Sequence, residues 1–113
     1  MTEKEKRKHI RVNSINLLNF VYFDENLKEE FQGMGRTLNV SEAGLLLETN
    51  SLFKTKREVS INIGLEEEIL SINGIVIFTA RNKSGLPKAG IKFKSISDNE
   101  LDILKNHIQT FQI

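Results

Sequence analysis

The chain contains no cysteine. That excludes disulfides and thiolate metal sites, and it fits a reducing cytosol. Its only histidines are His9 and His107, too few to build a catalytic zinc centre readily. There is no tryptophan and a single proline, Pro87. Charge of one sign is also missing: the net charge is +1, so no whole-molecule field draws the chain to nucleic acid or to an anionic membrane. No apolar run approaches the ~20 residues of a membrane helix, and no membrane insertion is expected. The N-terminus is charged and lacks an apolar signal segment. A cytoplasmic location is therefore expected, with the Asn-x-Ser sequons at Asn39 and Asn82 unglycosylated. At 113 residues one core is expected, and no fused enzymatic domain.

What is present reads as strands and turns. The apolar fraction is 39% and the charged fraction 27%, the balance of a globular domain. Residues 15–23, INLLNFVYF, are β-branched and aromatic. Further strand-like segments cover 31–40, 44–49 and 69–79. Val59, Ile61 and Ile63, and later Ala89, Ile91 and Phe93, alternate with polar or small residues, the period of a half-buried strand. Gly74, inside an apolar stretch, marks a bulge or bend. Turns fall at 24–29, 50–57, 64–67 and 82–88. The period then changes. Ser97-Asp-Asn-Glu100 is a capping box with Ile96 and Leu101 placed as a staple, and Leu101, Leu104, Ile108 and Phe111 share one helical face. The expected fold is mainly β: a six-stranded antiparallel barrel over residues 13–113, closed because closure removes sheet edges, with a C-terminal helix at about 97–112.

Two constellations carry chemistry. The first lies in the basic arm, residues 1–12, where positions 4–11 hold five Lys or Arg against one Glu. Arg7 and Arg11 form R-x-x-x-R. Each guanidinium is a planar fork that grips phosphate, stacks on a base or reads the O6/N7 edge of guanine, and the two can lie up to ~13 Å apart in an extended segment. Alone, the run is most simply a solvated tail. The second is Asn39-x-Ser41-x-x-Gly44, which offers an amide, a hydroxyl and a residue that permits close backbone approach. Alone, it is most simply a polar hairpin turn.

Taken together, Arg7-x-x-x-Arg11 followed by Asn39-x-Ser41-x-x-Gly44 resembles the PilZ family, bacterial receptor domains for cyclic di-GMP. The Leu-Leu-Leu strand after Gly44, the Ala89-Gly-Ile-Lys-Phe93 strand and the final helix are similar too, so the resemblance runs from about residue 5 to 112. It implies that Arg7 and Arg11 bind the phosphates and guanines, that Asn39 and Ser41 hydrogen-bond the ligand from the barrel, and that Gly44 serves backbone shape. Lys6 and Lys8 are possible additional contacts. Lys6 holds the position before the first arginine, which in the family lies near the ligand. The implied action is an arm that becomes ordered on binding and presents a surface to a downstream protein partner. No cofactor is expected beyond the ligand.

Competing readings differ in class. One is a ligand-independent PilZ-like interaction protein in pilus or motility regulation, though such relatives usually lack the arginine pair. Another is a small nucleic-acid-binding barrel, which wants a basic strand face bearing aromatics. The seven Phe and one Tyr here sit mostly in apolar contexts, so no DNA or RNA partner is expected. No nucleophile–base pair, acid pair or metal spacing supports an enzyme. Arg36, Arg81, His9 and the Glu66-Glu67-Glu68 run read as surface charge, and His107 lies off the apolar stripe of the helix.

Overall fold

The computed structural model describes residues 9–111. Among the described residues seven strands precede one helix: β1 (Val12–Asn13), β2 (Leu17–Phe23), β3 (Glu29–Val40), β4 (Gly44–Thr49), β5 (Glu58–Leu65), β6 (Glu68–Arg81), β7 (Pro87–Ser95) and α1 (Asp98–Gln109). Every pairing is antiparallel. The order β3-β2-β5-β6-β7-β4 closes through β3–β4, so the six long strands form a barrel. The two-residue β1 hangs on the end of β3 and is too short to leave a period in the sequence. The expected six-stranded barrel and C-terminal helix are what the chain forms.

Period-two alternation makes the core. Leu18, Phe20 and Tyr22 of β2, Val59, Ile61 and Ile63 of β5, and Leu70, Ile72 and Val76 of β6 all point inward and are buried. Tyr22, Phe31 and Phe53 stack at one end of the barrel with centroids 4.6 and 4.8 Å apart. The Tyr22 hydroxyl accepts the Lys54 amide at 2.8 Å, so its polar tip is satisfied without leaving the core. At this end Asp24 accepts the backbone amides of Lys28 and Asn26. Those bonds, Lys28's first, hold its carboxyl below the usual value. Gly74 does mark a bulge: the β6–β7 register shifts between Asn73 and Gly74. Pro87, with no amide to donate, takes the first place of β7.

The helix covers the other end of the barrel and departs from its predicted detail. The Ser97 hydroxyl accepts the Glu100 amide at 3.2 Å, as a cap should. The Glu100 carboxylate does not return to the Ser97 amide. Its Oε2 accepts the Ser71 amide of β6 at 2.8 Å and so fastens the first turn to the barrel. Leu104 and Ile108 are buried as expected, but Phe111 is half exposed and His107 turns inward in its place.

Candidate functional site

The site is built at the helix end of the barrel, where β1, β3 and β4 meet. In β3, Thr37 pairs with Leu47 and Asn39 with Leu46, so Leu38 is an extra residue on one strand. That bulge changes the phase of the alternation. Thr37 and Val40 both point inward and are fully buried, and Asn39 turns to the outer face. There Arg11 Nη1 donates to Asn39 Oδ1 at 2.7 Å across a sequence separation of 28. The segment that carries Arg11 is fixed by its neighbours. Val12 pairs with Val40 and is buried, Asn13 pairs with Asn39, and Thr37 Oγ1 donates to the Ser14 carbonyl at 2.6 Å while accepting the Asn16 amide at 3.0 Å.

The 41–44 turn shows why its residue types recur at that spacing. Ser41 is 2% exposed, and its hydroxyl oxygen accepts the amides of Ala43 and Gly44, both at 3.2 Å. The Ser41 amide donates to the Gly44 carbonyl at 2.8 Å. In this arrangement the hydroxyl holds the turn's own backbone. Gly44 opposes Lys92 of β7, and a Cβ there would overlap the Ile91 carbonyl oxygen. Close strand approach, not a positive φ, is what demands glycine at this position. Glu42 stands at the tip, 3.8 Å from His9 Nδ1 and 4.0 Å from Lys105 Nζ, between the arm and the helix.

The barrel adds a floor that the motifs do not announce. Across the outer face, Asn39, Leu46, Gly90 and Phe78 form one row over β3, β4, β7 and β6. A further bulge, at Ile77, puts Phe78 opposite Gly90, with the ring lying where a Gly90 side chain would be. Phe78 is 47% exposed and presents a flat apolar face. Lys92, exposed, stands beside Gly44 in the next outward row. The structure thus brings together Arg11, Asn39, Ser41 and Gly44. Arg7, Lys6 and Lys8 lie outside the described residues. Arg36 is no idle surface charge: its Nε and Nη2 sit 2.9 and 2.8 Å from Oε1 of buried Glu48, whose Oε2 is met by Asn82.

His107 is the clearest departure from the sequence reading. It is 5% exposed; its Nε2 is 2.8 Å from Ser14 Oγ and its Nδ1 3.3 Å from Glu66 Oε1. Ser14 Oγ also accepts Asn16 Nδ2 at 2.7 Å. A proton on Nδ1 satisfies the whole chain: Asn16 to Ser14, Ser14 to His107, His107 to Glu66. A hydroxyl, an imidazole and a carboxylate in line have the order of a nucleophile, base and orienter. Ser14, however, is only 3% exposed, so the line works as a tie between α1 and the segment joining β1 to β2. His107→Ala is expected to leave the buried Ser14 hydroxyl short of a partner and to lower stability by about 1–3 kcal/mol in denaturant melts.

Among the described residues no group of His, Cys, Asp and Glu side chains is placed to hold a metal ion, and no helix is long and apolar enough to cross a membrane. Comparison with known proteins follows the same fold. The Bacillus subtilis inhibitor of motility MotI/DgrA superposes with a TM-score of 0.75 at 16% identity, over 92% of this chain and 50% of its own. The PilZ domain of Escherichia coli YcgR, solved with c-di-GMP, gives 0.71 at 10% identity over 95% of this chain and 92% of that domain. The longer YcgR structure in complex with c-di-GMP gives 0.74 at 11% identity, and there 46% of that chain is covered. This chain therefore spans about half the length of MotI and of that YcgR chain. Among curated proteins none matches. A family model described as PilZ domain matches residues 5–110, nearly the whole sequence, and the chain belongs to the PilZ domain family.

Proposed function

We propose that this chain is a bacterial cyclic di-GMP receptor, acting by binding and not by catalysis, in the cytoplasm where the messenger is made and read. The observation that carries the reading is the 2.7 Å bond from Arg11 to Asn39, which joins the two halves of the motif beside the Ser41–Gly44 turn. Support also comes from membership of the PilZ family and from the likeness to YcgR, whose PilZ domain was solved with c-di-GMP. Ligand exchanges the Arg11–Asn39 bond for two better ones. The guanidinium takes a guanine edge or a phosphate, and the freed Asn39 amide takes another polar edge. Arg7 supplies the second fork. Phe78 offers a stacking face and Lys92 a further positive charge from the fixed barrel. Each bidentate arginine–guanine contact is worth about 1–3 kcal/mol, against the cost of ordering the arm and ligand. Two such contacts with stacking reach micromolar affinity, about −8 kcal/mol.

The output runs through the arm. Val12 and Asn13 pair with β3, and His9 reaches the 41–44 turn at Glu42, which also faces Lys105 of α1. Ligand that pulls Arg11 from Asn39 re-sets this surface for a protein partner. Control of motility is the output to examine first, given the structural likeness to the inhibitor of motility MotI. Hydrogen exchange over residues 5–12 should slow with saturating ligand, and unchanged exchange would rule out an ordering arm. A second reading draws on the same bond: Arg11 and Asn39 satisfy each other, as a ligand-independent interaction protein would require.

Calorimetry separates the two. Heat of binding is expected with cyclic di-GMP and not with GMP or a single-stranded oligonucleotide. Silence with all three favours the ligand-independent reading. Ser41→Ala removes the acceptor of two turn amides. It is expected to weaken cyclic di-GMP binding about tenfold and to cost about 1 kcal/mol of stability.

A further inference from the structure

The outer face of the barrel on the β2–β5 side carries three large apolar side chains that no described residue covers. Leu17, Met34 and Ile69 are 72%, 70% and 73% exposed. They are not scattered. All three rim one hollow of about 210 Å³, which Gly64 also lines. The strand registers explain its shape. Leu17 pairs with Arg36 of β3, Gly64 pairs with Ile69 of β6, and Leu18 pairs with Ile63 between them. Arg36, Leu17, Gly64 and Ile69 therefore make one outward row, and the missing side chain of Gly64 leaves a gap between two bulky neighbours. A contiguous, exposed apolar patch of this kind marks an interaction surface more often than scattered apolar residues do.

We infer that this face pairs with a second copy of the same chain. The row is self-complementary under a two-fold axis parallel to the strands and passing between β2 and β5. With strands ~4.8 Å apart, that operation lays Leu17 of each copy over the Gly64 gap of the other. The outer members of the row then exchange places, so that Arg36 of one copy stands over Ile69 of the other. Charge follows the same symmetry. Arg36 bounds the row on β3, and its Nη1 is not used by Glu48. The acidic Glu66-Glu67 turn bounds it at β6, with Glu67 two residues before Ile69. The two-fold brings each Arg36 near the other copy's Glu67, twice per dimer. A partner of uniform charge would face repulsion at one end of the row. Three side chains fall short of the ~800 Å² per partner of a standard interface, so the association is concentration-dependent and in the micromolar class.

Sedimentation of the full chain from about 5 to about 500 µM is expected to pass from monomer to dimer. Leu17→Ser removes the knob and Gly64→Ala fills the hole. Each is expected to raise the dimer dissociation constant by at least about tenfold. Gly64→Ala separates this effect from misfolding. Its Cβ would meet only the Leu17 carbonyl oxygen, at 3.9 Å, so the melting temperature should hold or rise while association falls. A wild-type chain that stays monomeric throughout, with or without some other protein bound, overturns the inference. So does association of the two variants at wild-type strength.

Discussion

Arg11→Ala is expected to raise the dissociation constant for cyclic di-GMP by about 100-fold or more, with the melting temperature nearly unchanged. Under the proposed function the guanidinium gives up its 2.7 Å bond to Asn39 and grips guanine or phosphate through two charge-assisted bonds, so the variant would lose both at once. The melting temperature holds because that bond lies on an exposed face, where single polar contacts add little to folding. Arg11→Lys tests the geometry apart from the charge. Lysine keeps the positive charge and loses the planar fork, so only a small part of the affinity should return. Full recovery with lysine would mean that Arg11 acts only as a charge. Calorimetry on the three proteins, with a thermal melt of each, reads both quantities.

Gly44→Ala is expected to act mainly on the fold. The new Cβ would overlap the Ile91 carbonyl oxygen and sit 3.4 Å from the Lys92 Cα. These are backbone atoms, and no rotamer change can move them aside. β4 and β7 must separate where Gly44 opposes Lys92, at a cost of about 1–3 kcal/mol. At about 4–8 °C per kcal/mol for a domain of this size, the melting temperature falls by roughly 5–20 °C. In denaturant the midpoint drops while the slope stays the same. Affinity for cyclic di-GMP should fall as well, because the 41–44 turn starts at this contact. An unaltered midpoint would show that the strands can give way at no cost.

The contrast between these two substitutions reflects what a sequence can display. Apolar alternation in β5 and β7 reports burial directly, and β-branched and aromatic composition marks β2; together they placed these strands. The Ser97–Glu100 spacing reports a helix start, and α1 begins there. The motif residues Arg11, Asn39, Ser41 and Gly44 were visible as a pattern, with Gly44 read as serving backbone shape; the pattern left open whether Ser41 faces a ligand or its own turn. Ser41 turns its hydroxyl onto the amides of its own turn, a choice fixed by backbone geometry. The bulge at Leu38 leaves no mark in residue type, although it sets Asn39 on the outer face between inward Thr37 and Val40. His107 was unreadable for another reason. A polar residue is buried only when distant partners satisfy it, and Ser14 is 93 positions away. Arg36 and Glu48 follow the same rule across β3 and β4.

An NMR titration of the full chain with cyclic di-GMP tests the site most directly. The arm and the turn should respond together: the Arg11 side-chain Nε–H and the backbone amides of Asn39–Gly44 should shift with one saturation curve, along with the Phe78 ring. A contradictory result is equally concrete. A hollow of about 940 Å³, lined by Asp24, Phe53, Arg57 and Thr79, lies at the opposite end of the barrel. Shifts confined to that hollow, or saturable binding that leaves Arg11 and Asn39–Gly44 untouched, would place the ligand elsewhere.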